Sequence, residues 1–483
     1  MTFPPIIQGG MGAGISGWRL ARAVSSQGQI GVVSGTALDL MLARRLELGD
    51  PGGDLLRALA CFPDQDMARR MINRYFVAEG KAPDKPFSSK PMVSHKLSRH
   101  LEELMVVSNF VEVFLAKEGH GGIIGINYLH KIQTPLLPSL YGAMLAGVDI
   151  VIVGAGIPID IAAVIDCFTR GESAQIKLHV RDAGSESDHT LSFAPGDLFP
   201  DMGKALKRPL FFPIVSSVTL ATVLVRKGKG QVDGLIIEGP SAGGHNAPPR
   251  GQVKLNPEGE PVYGPRDAID IGAIKALGLP FWLAGSYASP EKLREALSAG
   301  ASGIQVGTLF AFCQESGLRE DLKDDILQRC QVEIPRAFTD PVASPTGFPF
   351  KVVPIAGTLS ETAVYEERVR RCDLGYLRES YEKDDGTVGW RCSAEDEEAY
   401  VSKGGNLEET IGRKCLCNGL MANIGMAQVR NGSGEEAPLV TCGDDLKGIL
   451  HVLDTGAMSY SSSDVLDFLL GHGKPATAPG DSA

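Results

Sequence analysis

The chain has 483 residues, 43% hydrophobic and 22% charged, enough apolar material for one large core and a smaller appendage. Its 47 Lys and Arg against 58 Asp and Glu leave a net charge of −11, and no strongly basic stretch offsets it, which argues against a nucleic-acid surface. Residues 1–8 lack the basic start and apolar run of a signal peptide, and the most apolar region, 142–165, is interrupted by Asp149, Asp160 and several glycines. A cytoplasmic enzyme without a membrane span is expected.

Residues 5–8 form the first short apolar run, ended by the glycine turn Gly9-Gly10-Met11-Gly12, and 30–34 the second. Gly10, Gly12 and Gly14 are not a dinucleotide fingerprint, because the spacing is wrong and the second half of that motif is missing. Residues 36–121 are too long for a simple connection. Their amphipathic stretches 54–62, 66–78 and 95–117 predict a helical insertion over about 40–121. Further apolar runs follow at 122–127, ending on Asn127, and at 149–153. The pieces 174–180 and 190–193 flank a polar turn too short for a crossover helix, so an inserted hairpin is predicted over about 174–194.

The last four runs are 211–215, 234–238, 280–284 and 303–306. Continuous apolar runs of this kind suit strands buried on both faces. Helix signals separate them, the clearest being Ser289-Pro290-Glu291, a capping serine with proline at the first helical position. Eight alternating units by residue 315 predict an α/β fold, a parallel (β/α)8 TIM-type barrel over residues 1–315, with a doubly wound open sheet as the alternative because pattern alone does not show closure. A connector packed on the barrel is expected over 316–360, a C-terminal extension over 361–470 and a disordered tail over 471–483.

In such barrels the chemistry sits at the C-terminal ends of strands, with a phosphate site often after the last two. The seventh run ends in Ala284-Gly285-Ser286 and the eighth in Gly307-Thr308. Glycine admits a ligand close to the backbone, and free amides with the Ser286 and Thr308 hydroxyls can bind phosphate oxygens. The sixth run leads into Ala242-Gly243-Gly244-His245, which aims an imidazole, the side chain best suited to proton exchange near neutral pH, at the barrel mouth. The carboxamide of Asn127 both donates and accepts, as a flat heterocycle requires.

Nine cysteines do not make a disulfide scaffold in so long a chain, but five of them fall in the last quarter. Cys415-Leu416-Cys417 with Cys372 and Cys392 supplies four thiols, which could be zinc or iron–sulfur ligands, a redox pair or ordinary buried cysteines. The irregular spacing favours the last, and no metal is expected.

With Pro5-Ile6-Ile7-Gln8-Gly9-Gly10-Met11-Gly12, Ala242-Gly243-Gly244-His245, Leu283-Ala284-Gly285 and Gln305-Val306-Gly307-Thr308-Leu309-Phe310 in this order, residues 1–350 resemble the nitronate monooxygenase (2-nitropropane dioxygenase) family. The resemblance implies a barrel holding FMN non-covalently, its phosphate at Ala284, Gly285, Ser286, Gly307 and Thr308. It implies His245 as the catalytic acid/base, with Gln8, Gly9, Gly10, Met11, Asn127, Ser216, Gly243 and Gly244 contacting the flavin. The implied reaction is oxidation of a nitronate or similar stabilised carbanion, a small-molecule substrate, with O2. A neighbouring branch, the FMN-dependent enoyl-thioester reductases, shares the Gly-Gly-His turn and implies NAD(P)H and an acyl-carrier protein or CoA thioester instead. A non-catalytic flavin-binding module is the third expectation, disfavoured by a histidine aimed into a complete barrel.

Overall fold

The computed structural model describes residues 3–184, 189–200, 205–430, 432, 434–453 and 457–472. The eight predicted runs are the eight strands of a closed parallel barrel: β1 (Ile6–Gln8), β2 (Ile30–Ser34), β3 (Ile124–Leu129), β4 (Ile150–Gly154), β5 (Leu210–Val215), β6 (Leu235–Glu238), β7 (Phe281–Ala284) and β8 (Gly303–Val306). Each pairs in parallel with its sequence neighbour, and β8 closes on β1 through Ile6↔Ile304 and Gln8↔Val306. The predicted fold class is therefore borne out, with the helical insertion and the cysteine-containing C-terminal extension.

Inside the barrel, Ile7, Ile30, Val32, Ile150, Ile152, Phe212, Ile236 and Trp282 fill the lumen. Phe212 and Trp282 stack at 5.1 Å, and Phe3 meets both edge-on at 5.8 and 5.4 Å. These rings make the lumen a packed core, not a pore, so a ligand has room only at the C-terminal mouth.

The long segment after β2 holds four helices, Leu38–Glu47, Asp54–Ala60, Gln65–Tyr75 and Arg99–Lys117. The last, capped by Ser98, packs on β2, β3 and helix Leu136–Leu145, so it is the barrel's own crossover and the first three are the addition. The predicted hairpin forms antiparallel between Ala174–Lys177 and Thr190–Phe193. Its first strand ends earlier than the sequence suggests, because Arg181 instead exchanges backbone hydrogen bonds with Ser380 and Glu382 of the C-terminal hairpin Glu379–Glu382/Val388–Arg391. Helix Pro290–Ser298 starts as expected, with the Ser289 hydroxyl accepting from the Lys292 amide at 3.2 Å.

Beyond β8, helix Glu320–Val332, hairpin Phe338–Asp340/Phe350–Val352 and helix Leu416–Ala422 lead to helix Ser462–Leu470, which packs against helices Trp18–Ser26 and Pro290–Ser298. Gly471 terminates that helix in the left-handed region at φ 76°, and the tail expected from there lies from residue 473 onward outside the described residues. Among the described residues no helix is long and apolar enough to cross a membrane.

Candidate active site

A cavity of about 220 Å3 opens at the C-terminal mouth, lined from the end of every barrel strand. Gly9, Gly10 and Met11 follow β1; Ser34 ends β2 and Asn127 lies in the C-terminal half of β3; Ala284 ends β7, and Gly285 and Ser286 follow it; Gly307 and Thr308 follow β8. Gly243, Gly244 and His245 complete the wall beyond β6. The structure thus brings together twelve of the fourteen residues singled out in the sequence. Gln8 and Ser216 do not line the cavity. Gln8 is fully buried behind it, its Oε1 accepting from the Val32 amide at 3.0 Å and its Nε2 donating to Ser16 Oγ at 2.9 Å, so it ties β1 to β2. Ser216 offers its carbonyl to Arg250 at 2.8 Å.

His245 Nε2 lies 2.7 Å from Ser344 Oγ, and the ring meets Phe350 edge-on at 4.9 Å. A short antiparallel pairing holds the turn: Lys351 N–H donates to the Gly244 carbonyl and Asn246 N–H to the Pro349 carbonyl, each at 2.9 Å. Burial, with the Lys131 charge nearby, pushes the imidazole pKa well below its usual value, so the ring is neutral and able to accept a proton at pH 7. Gly243 is needed for a reason the sequence does not show. A Cβ there would stand 2.8 Å from the backbone of Cys442 and Gly443, so the close approach is made by the chain's own C-terminal segment.

Asn127 donates from Nδ2 to the Gly10 carbonyl at 3.2 Å, while its Oδ1, buried beside the cavity, has no partner among the described residues. An orphaned acceptor at a cavity wall is a group awaiting a donor. At the far side Gly285 takes φ 87°, and a Cβ there would come within 3.1 Å of the Gly239 carbonyl, so a side chain would be strained by the backbone conformation and crowded by that oxygen. Thr308 Oγ1 accepts from the Gly443 amide at 2.9 Å, and the Ser286 side chain hydrogen-bonds Asp445, whose carboxyl burial pushes up.

Sequence reasoning missed the roof and two charges. Tyr376, Leu377, Leu416, Cys417, Leu420, Thr441 and Asp445 of the C-terminal region cover the mouth. Glu238, at the end of β6, lines the cavity with its carboxyl raised by burial to about 7 and opposed by Lys131. Lys131, in the loop after β3, is lowered by burial to about 7 and opposed by Glu238. Glu238 was legible as a carboxylate ending an apolar strand; Lys131 had no local signal.

Cys372, Cys392, Cys415 and Cys417 do come together, around a separate void of about 10 Å3 that shares Leu377, Leu416 and Cys417 with the main cavity. All four thiols are free. A hydrogen bond with Cys392 holds the Cys372 thiol below its usual pKa. Among the described residues no group of three or more His, Cys, Asp or Glu is arranged to hold a metal ion.

Residues 160–342 match the nitronate monooxygenase family model. That segment contains the Gly-Gly-His turn and both glycine turns after β7 and β8, so the resemblance carried by those motifs is borne out. A probable nitronate monooxygenase of Bacillus subtilis (strain 168) is 33% identical over 133 residues, covering 27% of this chain and 36% of that protein. One of Staphylococcus aureus (strain MSSA476) is 24% identical over 175 residues, 36% of this chain and 47% of that protein. The chain therefore spans less than half the length of the curated relatives it matches. Among solved structures, nitroalkane oxidase from Streptomyces ansochromogenes aligns over 98% of this chain and 97% of its own, with TM-score 0.48 and 14% identity. FabK from Thermotoga maritima aligns over 97% and 92%, with TM-score 0.44 and 14% identity.

Proposed function

We propose that this chain, similar over residues 160–342 to the nitronate monooxygenases, is an FMN-dependent oxidoreductase that oxidises a nitronate or similar stabilised carbanion with O2. The observation that carries the reading is a neutral, half-buried His245 at the wall of a cavity whose opposite walls are glycine turns and an Asn127 oxygen without a partner among the described residues. The residues fit a flavin. Asn127 Oδ1 would accept from a ring N–H, Gly9, Gly10 and Gly243 leave room for a flat ring, and the turns at Gly285 and Gly307 with Ser286 and Thr308 would hold a single phosphate. One such cradle suits FMN better than a dinucleotide.

When bound, the flavin supplies the electron acceptor for the substrate and passes the electrons to O2. The protein's own part is proton management and enclosure. His245, neutral at pH 7, removes a proton from a carbon acid entering un-ionised and has less to do for a preformed anion. The apolar roof of Leu377, Leu416 and Leu420 excludes water around the reacting carbon. The same roof suits an acyl chain, the observation that favours the second reading, an NAD(P)H-dependent enoyl-thioester reductase.

An oxygen electrode separates the two. Oxygen uptake with a propyl nitronate and no nucleotide is expected. Turnover confined to a crotonyl thioester with NADPH would replace the first reading by the second, and neither activity would remove both.

A further inference from the structure

The loop over residues 341–349 places Ser344 and Thr346 behind His245, in a row that ends on Lys131 from the loop after β3. His245 Nε2 lies 2.7 Å from Ser344 Oγ, Ser344 Oγ lies 2.8 Å from Thr346 Oγ1, and Thr346 Oγ1 lies 3.3 Å from Lys131 Nζ. Ser344 is fully buried, its Oγ also accepts from the Thr346 amide at 3.2 Å, and its carbonyl accepts from Arg413 at 2.6 Å, so the row is held from both sides. The Lys131 ammonium stands 4.2 Å over the Phe348 ring. No other hydrogen bond to the His245 ring is formed among the described residues, which leaves Nδ1 for the cavity.

We propose that Lys131 is the proton store of the active site, charged through Thr346 and Ser344 when His245 accepts a proton from the substrate. The inference rests on the function proposed above for the same cavity. A hydroxyl has one proton to give and two lone pairs, so the row has two consistent polarities. In the first, His245 Nε2–H donates to Ser344, Ser344 to Thr346 and Thr346 to the neutral Lys131 amine, leaving His245 Nδ1 free as a base. Transfer of the substrate proton to Nδ1 then moves one proton along each hydrogen bond. The substrate becomes a carbanion, the imidazole ends neutral with its proton on Nδ1, and Lys131 ends as the ammonium. No imidazolium need persist in the buried site, where its charge would be costly beside Lys131.

An amine with a pKa lowered to about 7 by burial, faced by Glu238, is poised to fill and empty this store near neutrality. Among the described residues the charged groups around the row are Lys131, Glu238, Arg413 and Asp340, whose carboxylate accepts from the Val342 and Ala343 amides. Glu238 and Lys131 oppose each other's shifts, so the pair titrates jointly around that pH.

The test is the 15N spectrum of His245 in the resting holoprotein, assigned by its loss in His245→Ala. The expected result is an imidazole that exchanges tautomers, Nε2–H above about pH 7 and Nδ1–H below it, without becoming cationic. Lys131→Met and Thr346→Val should both abolish the exchange, and Thr346→Ser should restore it. A histidine that titrates to imidazolium in this range, or that switches tautomer unchanged in both variants, overturns the relay. This readout needs no substrate, so it decides the relay even if the protein oxidises no nitronate. In turnover, Lys131→Met should lose about 10²-fold on a neutral nitroalkane and little on its preformed nitronate, at unchanged flavin content. Equal losses on both forms would also overturn it.

Discussion

His245 is exposed to the cavity through one ring nitrogen and tied to Ser344 through the other, so its replacement by alanine removes a proton acceptor and little packing. His245→Ala should therefore keep its flavin and lose about 10²–10⁴-fold in turnover of a neutral carbon acid, with a smaller loss on the preformed anion. Steady-state rates on both forms, beside the flavin spectrum, check this; equal rates for wild type and variant on the neutral form would refute the role. Because burial lowers the imidazole pKa, no imidazolium should form in the ordinary histidine range, and acid loss of activity should instead follow the filling of Lys131 near pH 7, which places the proton on His245 Nδ1. Gly285 offers a complementary test. A valine there meets both a positive φ and the Gly239 carbonyl, so Gly285→Val should fail to retain stoichiometric flavin, and full retention would count against the cradle. The histidine and the glycine turns were legible because each follows an apolar run directly. Lys131, Ser344 and Thr346 were not, since more than two hundred positions separate the lysine from the hydroxyls that meet it.

At the scale of elements, all eight barrel strands could be read from apolar runs, and their ends shift by two residues or less. What periodicity missed is how the C-terminal pieces dock. Part of that docking rests on a buried charge cluster: Glu436 is bound by Arg368 at 2.7 Å and Arg430 at 2.8 Å, and Arg430 also by Asp373 at 2.7 Å. Removing one partner of a buried pair leaves the others uncompensated. Glu436→Ala should therefore cost about 3–5 kcal/mol in urea denaturation, and a loss below about 1 kcal/mol would show the cluster to be solvated. The four gathered thiols belong to the same region. Their irregular spacing predicts free cysteines, so elemental analysis of folded, active protein should find neither zinc nor iron in stoichiometric amount. About one zinc per chain, or iron with sulfide, would contradict that.

The whole molecule is a barrel whose mouth is finished by its own C-terminal third. The barrel was foreseeable because strand–helix alternation is a local signal repeated eight times. The roof was not, since Tyr376, Leu377, Leu416 and Thr441 reach the cavity from loops and one short helix with no periodic mark of their destination. The roof also bears on substrate choice, because Leu377, Leu416 and Leu420 add apolar wall to the cavity. The central claim is that this enclosed mouth holds FMN and lets a carbanion reduce it without a nucleotide. The most direct measurement is the visible spectrum of the purified protein under anaerobic conditions, titrated with an alkyl nitronate, with the released cofactor identified by mass. One FMN per chain is expected, bleached by the nitronate alone and restored by O2. A protein with FAD or no flavin, or an FMN bleached by NADPH but not by the nitronate, would contradict it.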